Sequence, residues 1–585
     1  MTMSRSFQSV SRETAPLRRW IGVLILMPLA GGPFGGRLLA QGEAALVPGW
    51  PFEIGPVAHS FIPIVANVYG DAAPEIVVPS GNPLEGPRAY LTNGQLVPNW
   101  TSPVEGSARM FAGNLVPGPH QSAVHTSGAG IDVFFALGPD GSVLPGWPAL
   151  DAANGVSELS MALGDLDGDG LDELVYVEAV NPDLTIHVLG SDGQVQPGWP
   201  VSLTWPPNVG NPISFIDTGL AVGDVDLDGR AEIVVVFWGV PFSGPNYTEP
   251  SVWLLDGNGS VRPGWPLQPH PGGEVFTPVI ADLDQDHQPE IVLPGYYRLH
   301  AYRPDGIKRF ETAAPSVTYP YPAVADLDAD GWLEVVLAGD LLRVAKVHQY
   351  SVVTSGFVVA KEVSDVLPYR NYKPPVVGDV DGDGQLEIVV WSIYRIDLPL
   401  EDAWTLHVLN SATLEPLPGW PKAFPPGVVA PYRELLVPAL ADLDGDGDME
   451  IIHTWNHEIF AWDQPAIGTQ GQPAPWPQFC HDGSSGGSFH RGNEPVPMFV
   501  RGDANGDLRV DVADVPFLLG HLYLGTTVSC AAAVDIDEDA TTGLADVLLL
   551  LATLFESSFV PPPPYPDCGS HPGVGLLQCH RFTCP

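Results

Sequence analysis

The stretch Ala441–Ile451, ADLDGDGDMEI, sets Asp442, Asp444, Asp446 and Glu450 at positions 1, 3, 5 and 9 of one short loop. Carboxylates this close repel one another unless something compensates their charge. The string recurs as GDLDGDGLDEL from Gly164, GDVDLDGRAEI from Gly223, ADLDQDHQPEI from Ala281, ADLDADGWLEV from Ala325 and GDVDGDGQLEI from Gly378. Fainter copies stand at Ala66 (ANVYGDAAPEI) and around Asn114 (GNLVPGPHQSA). Together they divide residues from about 47 to 480 into eight units, with a period of roughly 45 to 63 residues. Each strong copy runs into β-branched residues, such as Ile233-Val-Val-Val236 or Ile388-Val-Val390, so the acidic loop is predicted to precede a strand.

A second marker follows in most units: VPGWP at 47, VPNW at 97, LPGWP at 144, QPGWP at 196, RPGWP at 262 and LPGWP at 417. It comes after turn residues such as Ser191-Asp-Gly193 or Asp256-Gly-Asn-Gly259. A hairpin followed by a Pro-Gly-Trp-Pro corner predicts a small repeated sheet bounded by a buried indole. Sheets of about 50 residues repeated radially make a β-propeller, typically of 4 to 8 blades, and a β-solenoid has a much shorter repeat. The predicted fold class is mainly β, a seven- or eight-bladed propeller.

Within each strong loop, alternation turns the carboxylates at positions 1, 3 and 5 inward, the residue at position 9 adds another, and position 7 offers a backbone carbonyl. The donor sets are Asp165, Asp167, Asp169 and Glu173; Asp224, Asp226, Asp228 and Glu232; Asp282, Asp284, Asp286 and Glu290; Asp326, Asp328, Asp330 and Glu334; Asp379, Asp381, Asp383 and Glu387; and Asp442, Asp444, Asp446 and Glu450. An all-oxygen cage suits a hard cation with six to eight ligands, and Ca²⁺ fits it better than Mg²⁺, which keeps its waters. Zinc would call for His or Cys. A merely solvated acidic turn would not recur at this spacing.

The D-x-D-x-D-G-x-x-E loop before an apolar strand resembles the FG-GAP or VCBS repeat of integrin-alpha-like propellers, and Pro475-Trp-Pro-Gln-Phe-Cys-His-Asp482 is similar to the segment that closes such bacterial propellers. The resemblance implies a calcium-stabilised propeller over residues 41–482, with the Asp, Asp, Asp and Glu of each loop as ligands. His287 replaces the usual Gly, Tyr69 replaces an Asp, and the unit at Asn114 lacks the carboxylates, so the first two units are expected to bind calcium poorly or not at all.

After a linker over 483–500 the composition changes. Asp503, Asn505, Asp507 and Asp514 stand at positions 1, 3, 5 and 12 of one loop, and Asp535, Asp537, Asp539 and Asp546 at the same positions of a second. Helix-like runs follow, Val515–Leu524 and Val547–Phe555. Twelve-residue loops followed by helices are of EF-hand type. Pro516 falls in the first helical turn, where its missing N–H costs little. The pair over 501–558 resembles a type I dockerin, a small α-helical calcium module that tethers its chain to a cohesin-like partner; a Pro/Cys-rich tail follows over 559–585. Leu508 and Ala540 stand where that family has glycine, and Val512-Ala513 and Leu544-Ala545 where cohesin-reading members carry hydroxyl residues. Arg501-Gly-Asp503 spells an integrin-recognition tripeptide, set aside because Asp503 is the first loop ligand.

Composition agrees. The 585 residues carry 25 Lys and Arg against 69 Asp and Glu, a net charge of −44, which excludes a nucleic-acid backbone or an anionic membrane surface as a natural partner. With 64 Gly and 63 Pro alongside abundant Val, Ile, Leu and Trp, many tight turns between short strands are expected. Arg5, Arg12, Arg18 and Arg19, the apolar run Trp20–Ala30 and small residues before Gln41 follow the order of a secretory signal, predicted over 1–40 with cleavage near Ala40 or, alternatively, Ala30. The run is too short to span a bilayer, so no transmembrane span is expected in a mature, exported chain. Cys480, Cys530, Cys568, Cys579 and Cys584 leave at least one thiol unpaired within the chain, and their crowding toward the end suits a local disulfide.

No metalloprotease or phosphate-loop motif stands out, and the paired carboxylates are committed to metal. The sequence therefore reads as a non-catalytic binding or adhesion module for an extracellular glycan or surface protein. The alternative is a polysaccharide-active enzyme, a propeller lyase carrying a dockerin, with His187, His407, Lys373 and Arg370 as scattered candidates for the base and its neighbours.

Overall fold

The computed structural model describes residues 44–556 outside a set of loops, among them 151–160, 204–212, 242–250, 269–276, 348–356, 395–402, 425–435 and 490–500. The predicted signal segment, all five cysteines, and the candidate ligands Asp330, Asn505, Asp507, Asp535, Asp537 and Asp539 lie outside the described residues.

Eight sheets are formed by the described residues, following one another along the chain over 64–90, 109–150, 161–203, 213–255, 279–313, 321–363, 370–424 and 439–463. One strand of each, the first along the chain in all but the seventh sheet, lies against its counterpart in the next. Ile64–Ala66 touches Arg109–Gly113, and Met161–Gly164, Ile213–Gly223, Val279–Ala281, Tyr321–Ala325, Val376–Gly378 and Ala439–Ala441 continue in order until the last returns to Ile64–Ala66. This is the propeller-type arrangement expected from the repeat.

The sequence explains why each sheet is sandwiched. In Glu232–Pro241 the run Ile233-Val-Val-Val-Phe237 is wholly buried, because a strand covered on both faces cannot alternate with polar residues. Ile233, Val235 and Phe237 pack with Val175 and Val177 of the preceding sheet. Val234 and Val236 pack with Ile280, Ile291 and Leu293 of the following one. Alternate side chains of one strand thus weld two neighbours.

The corners hold adjacent sheets together. Trp147 donates its indole N–H to the Ser191 carbonyl at 3.0 Å, Trp199 to Gly257 at 2.9 Å and Trp265 to Pro304 at 2.8 Å, each in the turn of the next sheet. Trp420 donates instead to Oε1 of Gln464 at 2.9 Å. Gly146, Gly198 and Gly264 adopt φ of +92°, +95° and +96°, and a Cβ on them would come within 1.9, 2.3 and 2.2 Å of the carbonyl oxygens of Asp192, Asn258 and Asp305. Glycine is required there both by conformation and by contact.

The corner at 47–51 does not open the first unit. Ala45–Leu46 and Phe52–Glu53 both pair with Glu458–Asp463, so the start of the described chain supplies the outer edge of the eighth sheet. Strands from both ends of the repeat region share that sheet.

In the tail, helices over Asp514–Leu524 and Leu544–Leu551, the latter continuing through Ala552–Glu556, match the two predicted helical runs. They enclose a core of Ala504, Val515, Leu518, Val534, Ile536, Val547 and Leu550. No described helix is long and apolar enough to cross a membrane.

Candidate metal centres

Each acidic loop joins the contacting strand of its sheet to the next strand along the chain, so all six lie at one end of the strand ring. The position 9 glutamate is the first residue of the strand that follows the loop in every case: Glu173, Glu232, Glu290, Glu334, Glu387 and Glu450. Pairing of that strand fixes the glutamate backbone, and its side chain then reaches back under the loop. Its Oε2 accepts the N–H of position 2, from Leu166 at 2.9 Å, Val225 at 3.0 Å, Leu283 at 2.9 Å, Leu327 at 2.8 Å and Val380 at 3.2 Å, and Leu443 serves Glu450 in the same way at 2.5 Å.

The aspartates are shaped by the backbone too. Asp165 accepts N–H groups from Gly168 and Gly170, while Asp167 accepts from Asp169, and Asp169 from Leu171. The turn therefore consumes some carboxylate oxygens and aims others inward. Positions 1, 3 and 9 converge: one oxygen from each of Asp165, Asp167 and Glu173 lies within 4.8 Å of the others, as in Asp224/Asp226/Glu232, Asp282/Asp284/Glu290, Asp326/Asp328/Glu334 and Asp379/Asp381/Glu387. Position 5 stands outside these trios. Asp228, Asp286, Asp383 and Asp446 each accept the N–H two residues on, as Asp169 does.

These trios are built to be compensated. Burial pushes the carboxyls of Glu173, Glu232, Glu290 and Glu450 up to about 8 and that of Glu387 to about 9, with the neighbouring aspartates adding to the rise. Asp381 is raised to about 6 for the same reasons. Glu290, Glu387 and Glu450 each keep Oε1 buried without a hydrogen-bond partner. A hard cation at the centre of the trio would satisfy that oxygen and favour the ionised form, so the donor set fits an oxygen-ligated metal ion.

Neighbouring loops are also tied together. The N–H at position 8 donates to the position 1 carbonyl of the preceding loop: Asp172 to Asn114 at 2.8 Å, Ala231 to Asp165 at 2.7 Å and Met449 to Asp379 at 3.2 Å. Gln121 does the same to Asn67 at 2.6 Å, which carries the pattern into the two faint units.

Two residues were missed from the sequence. Glu75 is fully buried and its Oε2 accepts from Val68 at 2.9 Å and Tyr69 at 2.8 Å, the role of position 9 in the first unit. Its signal was the Pro-Glu-Ile-Val context shared with Glu290. Asp448 is a buried fifth carboxylate in its loop, and burial beside Asp446 raises its pKa strongly. In the second unit Ser122 stands in place of the glutamate, so that loop lacks the trio.

In the tail, Oδ1 of Asp514 accepts the Ala504 N–H at 2.9 Å, and Oδ1 of Asp546 the Ile536 N–H at 2.7 Å. The last residue of each loop thus closes on position 2, and Asp503 is buried beside it in sequence. Gly502 N–H donates to the Ala533 carbonyl at 2.7 Å and joins the segments that lead into the two loops.

Of the residues considered for lyase chemistry, His187 is in a different sheet from the rest. His187 lies in the third sheet, 3.1 Å from Glu178 and stacked on Tyr176. His407 lies in the seventh, 2.8 Å from the Ser392 hydroxyl. Burial lowers the pKa of Lys373, whose ammonium lies over the Trp404 ring. Arg370 opens the strand Arg370–Tyr372 of the same sheet.

The FG-GAP-like repeat profile matches residues 165–235 and 224–293, each span running from one acidic loop through the next and so holding two complete loops with the strands between them. Residues 165–293 carry FG-GAP-like repeats. The matched FG-GAP-like stretch includes the loops at Asp165 and Asp224 and extends past Glu290. No curated protein matches this chain. Among solved structures it is similar to the V. cholerae biofilm matrix protein Bap1, at 14% identity over 75% of this chain and 94% of that one, with a TM-score of 0.36. It is also similar to the Dos1 propeller, at 10% identity over 73% and 97% of the two chains with a TM-score of 0.37, and to BBS1N in complex with ARL6DN, at 10% over 60% and 94% with a TM-score of 0.34.

Proposed function

We propose that the chain is an exported, calcium-stabilised, eight-bladed FG-GAP propeller that binds an extracellular glycan or surface protein without catalysis, and that its dockerin-like tail tethers it to a cohesin-like or other partner. The observation that carries the reading is the recurrence of one carboxylate trio, at positions 1, 3 and 9, at the same end of successive sheets. Calcium is the ion proposed because every donor is an oxygen and Mg²⁺, which keeps its waters and demands a smaller octahedron, is less suited to a cage of several carboxylates. Metal bound there would hold the loops that rim this end and so fix the surface offered to a ligand. The tail supports calcium as well, since both of its loops close on their last aspartate.

The test is binding of the purified chain to immobilised extracellular polysaccharides and to surface-protein extracts, in millimolar calcium and in excess EGTA. Calcium-dependent retention supports the reading. No retention on either, with or without calcium, contradicts it, and release of unsaturated product from a uronate-containing polysaccharide would transfer the chain to the enzyme class.

A further inference from the structure

The loops differ in what faces them. The residue that opens each corner occupies a fixed register, its N–H donating to a third-strand carbonyl: Val47 to Ala461, Val97 to Ala89, Leu144 to Ala136, Gln196 to Val188, Arg262 to Leu254 and Leu417 to Val408. Only the fourth sheet has a cation there among these. In the fifth sheet, which lacks the Pro-Gly-Trp corner, Arg309 takes the corresponding place, three residues beyond Gly306 as Arg262 is three beyond Gly259, each glycine closing the preceding turn.

Both arginines turn onto the position 3 aspartate of their own loop. Arg262 pairs through Nη2 with Asp226, places Nη1 3.6 Å from Oε2 of Glu232, and is held from outside the loop by Asp256, 2.9 Å from its Nε. One guanidinium thus addresses two of the three trio carboxylates. Arg309 sets Nε 2.5 Å from Oδ2 of Asp284, and Arg303 sets Nη2 2.8 Å from Oδ2 of Asp286. A guanidinium stays charged at any ordinary pH and fits a carboxylate by its fork of donors. A divalent ion would need the same oxygens, and would be repelled by the charge already there.

We infer that arginines of their own sheets occupy the position 3 aspartates of the loops over 224–232 and 282–290 in place of a metal ion, so that these two loops take up none, which leaves 165–173, 326–334, 379–387 and 442–450 as the metal-binding loops of the propeller. The fold is thereby held at two adjacent sheets independently of calcium. The count of ions rests on the calcium reading proposed above; the role of the arginines does not.

The test uses the full chain and two readouts, bound calcium per molecule by elemental analysis after gel filtration and thermal unfolding in calcium or EGTA. Asp226→Asn and Asp284→Asn are expected to leave the calcium count unchanged, while Asp167→Asn lowers it by one. Arg262→Gln is expected to raise the count by one. In EGTA, Arg262→Gln and Arg309→Gln should each lower the unfolding midpoint by a few degrees, with calcium restoring it for Arg262→Gln. A calcium loss with Asp226→Asn or Asp284→Asn overturns the inference, and so does an Arg262→Gln midpoint equal to wild type in EGTA. If the wild-type chain holds no calcium and Asp167→Asn changes nothing, the calcium reading fails, and the EGTA melting of the arginine variants still decides whether they neutralise the loops.

Discussion

Gly198→Ala tests whether the corners weld neighbouring sheets or merely turn the chain. Gly198 has φ of +95°, and an added Cβ would sit 2.3 Å from the carbonyl oxygen of Asn258 in the next sheet, well inside any real contact. Left-handed backbone costs an alanine about 1–2 kcal/mol, and forcing two packed segments apart costs about 1–3 kcal/mol more. The expected loss is therefore roughly 2–5 kcal/mol. Gly170→Ala is the control: its φ is +86°, yet nothing lies within 4 Å of its added Cβ, so only the conformational cost of about 1–2 kcal/mol applies. Both variants would be unfolded with urea in saturating calcium and followed by tryptophan fluorescence, which reports the corner indoles directly. The account predicts that Gly198→Ala loses clearly more than Gly170→Ala and that Trp199 fluorescence changes in the folded state. Equal losses would refute the welding argument, because backbone conformation alone would then explain both.

Three further outcomes follow from the same geometry. Asp444→Ala is expected to lower stability by about 2–3 kcal/mol at a calcium concentration near 100 times Kd and to change little in EGTA, measured by thermal unfolding. His453 is buried among Trp391, Phe424 and Phe460, its Nε2 accepts the Trp462 indole N–H at 3.0 Å, and burial lowers its pKa to about 3. The unfolded imidazole, at about 6.5, takes up protons first, so this contribution is complete above pH 6.5 and is lost as pH falls toward 3; the wild type should lose about 2 kcal/mol relative to His453→Phe between pH 7 and pH 5 in urea titrations. Trp199→Phe removes the 2.9 Å bond to Gly257 and should cost about 1–3 kcal/mol, whereas Trp50→Phe, whose indole nitrogen has no hydrogen-bond partner, should cost less in the same titrations.

Much of this was legible in the sequence because two signals repeat together. The Asp spacing marks the loop, and the β-branched residues directly after it mark the strand, so Glu173 and Glu387 fall on strand starts as expected. The corner was legible as a turn with a buried indole, but nothing local says that Trp147 bonds to Ser191, because that partner belongs to the next unit. Sequence order likewise hid the placement of Ala45–Leu46 in the eighth sheet, since only ring geometry brings the two ends together. Glu75 escaped because Tyr69 breaks the Asp spacing around it. The arginines were the least visible. Arg262 differs from Leu144, Gln196 and Leu417 by one residue type at one position, and it acquires meaning only when the hairpin register lays it over Asp226.

The tail shows the same limit on a smaller scale. Twelve-residue spacing located Asp514 and Asp546 and the helices that follow them, and the structure closes both aspartates on their own loops. Leu544, Leu548 and Phe555 are left exposed on the second helix and its extension, which the loop spacing does not foretell.

The most direct test of the central claim is thermal unfolding of the purified chain in millimolar calcium and in excess EGTA, with bound ions counted by native mass spectrometry. The account predicts a markedly lower midpoint in EGTA and, from four propeller loops and two tail loops, about six ions in calcium. Equal midpoints with no bound ion would contradict it, and the acidic loops would then be turns held by their own backbone hydrogen bonds.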